Sequence, residues 1–173
     1  MRMFAEERQT GTIEFLLTKP VRKLDIILGK YLASMALVVF ALLPTVLYYY
    51  TIYQLGSPKG NLDSGAVLGS YLVLILLAGC FTSIGLFASS LSKNQITAFV
   101  LATFLCFLLY YGFFFFSSLP VFVGRGDILV QMLGIDFHYE AISKGVIDTR
   151  NVVYFLSVIA FFLFLTQLSL EHK

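Results

Sequence analysis

Charge is what this chain has least of. Asp, Glu, Lys and Arg make up 13% of its 173 residues, against 58% hydrophobic. Four stretches, about 31–53, 66–91, 96–119 and 152–170, contain no charged residue at all. Length alone would suit one soluble domain, but these runs exclude it. A helix crosses a hydrocarbon core of about 30 Å in roughly 20 apolar residues. Backbone groups in lipid must find partners within their own segment, so uninterrupted runs of this length are helices. The expected fold class is all-α and integral to the membrane, with four transmembrane helices.

Other absences narrow the chemistry. No G-x-x-x-x-G-K-[ST] loop occurs, so the chain does not cradle nucleotide phosphates in that way. No Ser/His/Asp or H-E-x-x-H pattern stands out, which argues against an enzyme. The spans also lack the ionisable side chains on which ion-coupled carriers depend. Their polar content is mild: Thr51, Thr82, Thr97, Thr103, Thr166 and Gln167. If the chain moves a cargo, the energy comes from outside it. Two cysteines, Cys80 and Cys106, lie within spans, where they pack as small hydrophobes rather than form a disulfide or ligate metal. The first apolar run is too long for the core of a cleavable signal peptide. A net charge of +2 is too small to point to nucleic acid.

The placement of charge says more than its amount. Four spans put both ends on one side. That side carries Arg2, Arg8, Lys19, Arg22, Lys23, Lys30, Lys93 and Lys173, the other only Lys59, Arg125, Lys144 and Arg150. Positive residues concentrate in the cytoplasm, so both termini are expected there.

Along the chain, residues 1–9 read as helix and Gly11 breaks it. Thr12 is a candidate N-cap for the short apolar turn Ile13-Glu14-Phe15-Leu16-Leu17, and Pro20 marks a second break. A long helix starts at about Arg22 and enters the membrane near Lys30, whose stem can snorkel to the interface. Tyr48, Tyr49, Tyr50 and Tyr53 form an aromatic belt at its far end, and Pro44 is a candidate kink. Residues 56–64 hold turn chemistry in Pro58, Gly60, Asn61 and Asp63. In the second span Gly79/Ser83 and Gly85/Ser89 are small-xxx-small pairs that let helices approach closely. The tight Ser92-Lys93-Asn94-Gln95 loop makes a hairpin of the second and third spans.

The third span ends in Tyr110-Tyr111-Gly112-Phe113-Phe114-Phe115-Phe116, a lipid-facing girdle or the wall of a hydrophobic route. Residues 120–151 are partly apolar but too interrupted to cross, and fit short amphipathic or re-entrant helices at the outer surface. Asp136-x-His138-x-Glu140 invites a metal reading. On a helix, however, Asp136 and Glu140 share a face and His138 points away, which favours a polar surface patch.

The pattern Glu6-Glu7-Arg8-x-x-Gly11-Thr12-x-Glu14-x-Leu16-Leu17-Thr18-x-Pro20-Val21, running into Leu28-Gly29-Lys30-Tyr31-Leu32-Ala33, resembles the cytoplasmic loop of ABC-2 type transporter permeases. Within them it is most similar to the permease subunit of the gliding-motility-associated transporter of Bacteroidetes. Residues 85–95 and 143–148 look familial too. The resemblance implies a coupling helix that fits a cleft on a separate ATPase subunit, with Glu6, Glu7, Arg8, Gly11, Thr12, Glu14, Phe15, Leu16, Leu17 and Pro20 at the contact. It further implies a second permease copy, homo- or heterodimeric, in a bacterial inner membrane. No cofactor is implied in this chain; ATP and magnesium belong to the partner.

Such permeases have two spans before this loop, so the chain matches spans three to six of the family pattern. A fragment, or a partner that supplies the missing pair, is therefore expected. The organisation expected is a coupling segment over 1–29 and a transmembrane domain over 30–173. The rival reading is a membrane scaffold that anchors a soluble complex without transport.

Overall fold

The computed structural model describes residues 2–11, 22–57, 63–119, 127–143 and 148–171, and all regular structure among them is helical. In chain order α1 is Arg2–Gln9, α2 Lys23–Leu55, α3 Ser64–Leu91 and α4 Gln95–Ser117. Two short helices, α5 (Asp127–Gln131) and α6 (Ile135–Ser143), precede α7 (Thr149–Glu171). The helices α2, α3, α4 and α7 are long and apolar enough to cross a membrane. They coincide with the four charge-free runs, each prolonged by a turn or less into polar sequence except α2, which starts at Lys23 as the helix foreseen from about Arg22.

The ends have local causes. The Asp63 carboxylate accepts from the Gly65 and Ala66 amides at 3.0 and 3.2 Å and opens α3. Asn94 does the same for α4 by accepting from Ile96 N–H at 2.9 Å. Between them Ser92–Asn94 closes the hairpin, so α3 and α4 pack as antiparallel neighbours. Gly11 takes φ of 72° directly after α1, a left-handed conformation that glycine adopts without a Cβ penalty. Helix α2 continues through Pro44; the next residue, Thr45, donates to the Leu42 carbonyl and lies 2.8 Å from the Tyr71 hydroxyl of α3.

The centre of the bundle is α3, which packs against α1, α2, α4, α6 and α7. Half of its most apolar window is buried, against 6% for α2 and for α4. Helices that are hydrophobic all round cannot choose a face by polarity. Small residues choose it instead. Gly79, Ser83, Gly85 and Ser89 are all buried on α3. At Gly79 an added Cβ would meet the Tyr31 hydroxyl at 2.8 Å and Ile159 Cδ1 at 3.0 Å. Both atoms are side-chain tips that can swing aside, so Gly79→Ala is expected to cost under about 1 kcal/mol. Gly79→Leu has nowhere to go, and thermal unfolding of the detergent-purified chain should show a loss of about 2–3 kcal/mol.

Two apolar clusters follow. One joins α3, α6 and α7 through Val73, Cys80, Ile135, Ile142, Phe155 and Ile159. The other, at the α1 end, consists of Phe4, Ile27, Leu86 and Leu170. Large apolar side chains remain exposed along α2 and α4, Leu32, Phe40 and Leu47 on the first and Phe99, Phe104 and Phe107 on the second.

Within α4, Leu108–Gly112 forms a π-helical turn. It carries Tyr110 against Phe81 of α3 and Tyr139 of α6, with ring centroids 6.3 and 6.2 Å away. The aromatic run is thus divided. Tyr110 packs inward while Tyr111, Phe114, Phe115 and Phe116 stay exposed.

Candidate functional site

At the α1 end, four helices meet in a few ångströms. Phe4 and Ala5 of α1 are buried. The Phe4 ring joins Ile27 of α2, Leu86 of α3 and Leu170 of α7. The amide groups of Phe4 and Ala5 both donate to Ser89 Oγ of α3, each at 3.0 Å. The Glu7 carboxylate is ion-paired with the Lys30 ammonium, which also lies 4.1 Å from the Phe4 ring centroid. Lys23 donates to the Leu170 carbonyl at 3.2 Å, placing a cation at the C-terminal end of α7 where the helix dipole favours it. Ser169 Oγ reaches the Ser90 carbonyl at 3.5 Å. A displacement of α1 is therefore felt by α2 and α3 directly and by α7 through the shared apolar cluster.

Of the residues expected at a partner contact, Glu6 is exposed, Glu7 faces Lys30 and Gly11 has a left-handed backbone conformation. Arg8 lies on α1, with only its backbone described. Thr12, Glu14, Phe15, Leu16, Leu17 and Pro20 lie outside the described residues. The four small residues of α3 have separate surroundings. Gly79 sits where Tyr31 and Ile159 converge, and Ser83 donates to its own helix at the Cys80 carbonyl. Gly85 borders a cleft of about 380 Å³ between α2 and α3, also lined by Ser34, Val38, Phe81 and Thr82. Ser89 holds α1. From sequence Lys30 reads as an interfacial anchor and Ser89 as a packing residue; their contacts with α1 exist only because α1 folds back onto the bundle.

At the opposite end, α6 places Asp136 and Glu140 on one cleft with Tyr110 and Gln131. His138 points away from them. Its Nε2–H donates to the Met132 carbonyl at 2.9 Å, its Nδ1 lies 2.7 Å from the Asn151 amide oxygen position, and its ring stacks on Tyr154 at 3.9 Å. Both ring nitrogens are engaged by protein groups, which takes His138 away from any metal. Among the described residues no three His, Cys, Asp or Glu side chains converge on a common point.

No solved structure matches the chain. Among curated proteins it is 27% identical over 164 residues to the ABC transporter permease protein NatB of Bacillus subtilis (strain 168), an alignment that covers 87% of this chain and 41% of that protein. The chain thus spans about two fifths of the length of that relative. The family model described as ABC-2 family transporter protein matches residues 1–171. With four apolar helices able to cross a bilayer and a family match over nearly its whole length, the chain is a multi-pass membrane protein and belongs to the ABC-2 family of transporter proteins.

Proposed function

We propose that the chain serves as the permease subunit of an exporter driven by a separate ATPase, with α1 and the segment after Gly11 as the contact that the ATPase moves. The observation that carries this reading is the seating of α1 among the ends of three long helices, through Phe4, Ser89 and Lys30. A shift there has three membrane helices to act on. ATP-linked closure of a partner can rearrange the bundle only through contacts that differ in free energy between two states, and the contacts of α1 are the ones to which we assign that role. The α1 end is cytoplasmic on the distribution of Lys and Arg, in a bacterial inner membrane, and a second permease copy completes the pathway. ATP and magnesium are bound by the ATPase. The similarity of residues 6–21 to the gliding-motility-associated permeases makes motility the process we assign to the complex. The scarcity of charge in the spans favours a lipidic or amphipathic cargo.

The test is affinity purification of the tagged chain from its native membrane in mild detergent, with mass spectrometry of the proteins retained. A stoichiometric nucleotide-binding subunit is expected. Membrane partners without any ATPase would instead establish a scaffold. In the same experiment Glu14→Arg should reduce recovery of the ATPase at least tenfold with the chain still inserted, because it reverses charge only in the contact segment. Undiminished recovery would remove Glu14 from the contact.

A further inference from the structure

Lys30 occupies an unusual position for an interfacial lysine. Instead of carrying its ammonium to water, it turns it onto α1, against the Glu7 carboxylate and over the Phe4 ring. The side chains of the pair keep only 18% and 27% of their exposure. The register explains how one residue meets both groups. Phe4 and Glu7 are three apart on α1 and share a face; Ile27 and Lys30 are three apart on α2 and share another. Apolar therefore meets apolar and charge meets charge when the two faces close, with Ser89 receiving the Phe4 and Ala5 amides from the third side.

We propose that Lys30 is the positioning residue that holds α1 rigidly on the foot of α2, so that force on the segment beyond Gly11 moves α2 and α3 instead of peeling α1 away. This deepens the permease reading and rests on it for the source of the force, but the strap itself belongs to this chain and can be measured without a partner. The charge of Lys30, and not the bulk of its stem, carries the role: the stem could pack on Phe4 equally well in a neutral residue, whereas only a cation holds both the carboxylate and the ring face.

Hydrogen–deuterium exchange of the full chain in phosphatidylethanolamine–phosphatidylglycerol nanodiscs tests this. Amides of residues 5–9 should be protected in the unmodified chain and exchange roughly tenfold faster in Lys30→Met and in Glu7→Gln. Exchange within 73–88 should stay unchanged, showing an intact bundle. Lys30→Arg, which keeps the cation, should retain protection. Protection in Lys30→Met equal to the unmodified chain, or protection lost in Lys30→Arg as fully as in Lys30→Met, would overturn the proposal. Failure of the permease reading looks different: the unmodified chain would retain no ATPase on purification, while the exchange pattern would still decide the strap.

Discussion

His138→Ala should lower the stability of the detergent-purified chain by about 2–4 kcal/mol, read from helical circular dichroism during thermal or denaturant unfolding. The ring joins three separate pieces of backbone and side chain: the Met132 carbonyl, the Asn151 amide and the face of Tyr154. Tyr154 in turn donates to the Leu133 carbonyl at 2.6 Å. Met132 offers only a carbonyl oxygen here, so Nε2–H donates to it, and Nδ1 shares the second bond with the Asn151 side-chain amide. Asn151 is 8% exposed, and truncating the ring leaves its amide without that partner, which costs about 1–3 kcal/mol. Loss of the aromatic stack adds about 0.5–1.5 kcal/mol. His138→Phe separates the two contributions, since it keeps a ring on Tyr154 and removes both hydrogen bonds. If His138→Ala unfolds with the unmodified chain, the pin between α6 and α7 is not what orders this end of the bundle.

How much of this was legible follows from what each feature depends on. The four crossing helices depend on lipid being unable to hydrate a backbone, so runs without charge were enough to place them. The starts of α3 and α4 depend on Asp63 and Asn94, which read from sequence only as turn and loop residues and serve in the fold as caps that accept from the first amides of each helix. The break after α1 depends on a single glycine. The opposition of His138 to Asp136 and Glu140 depends only on helical periodicity. Other features depend on distant chain. Ser89 looks like one more small residue on an apolar helix until α1 brings two amides to it. Lys30 reads as a membrane anchor until Glu7 and Phe4 arrive. The π-helical turn at Leu108–Gly112 falls in a run of large apolar residues with no local signal that distinguishes an i→i+4 from an i→i+5 bond, and packing of Tyr110 against Phe81 and Tyr139 gives it a tertiary role.

A second pair of substitutions sets the two apolar clusters against each other. Phe155→Ala should cost the whole bundle about 2–3 kcal/mol, while Phe4→Ala should leave global unfolding nearly where it was and release α1 alone. The chemical change is identical and both rings are buried, at 0% and 2% exposure. Phe155 stands among Val73, Cys80, Ile135, Ile142 and Ile159, so its removal opens a cavity between α3, α6 and α7. In a bilayer or micelle the unfolded helices still face apolar solvent. The transfer part of the usual cost is therefore reduced, and what remains is lost packing. Phe4 has the same kind of neighbours but sits on a separate helix of only eight residues. The penalty to global stability cannot exceed what α1 docking contributes, because beyond that point α1 detaches and the remaining helices stay folded. Exchange or limited proteolysis within residues 2–9 should therefore rise sharply in Phe4→Ala with the melting curve almost unmoved. Equal loss of global stability in the two variants would make α1 an integral part of the bundle. That distinction bears on mechanism, since an element that relays force must grip the helices it moves and yet be able to change its seat without unfolding them.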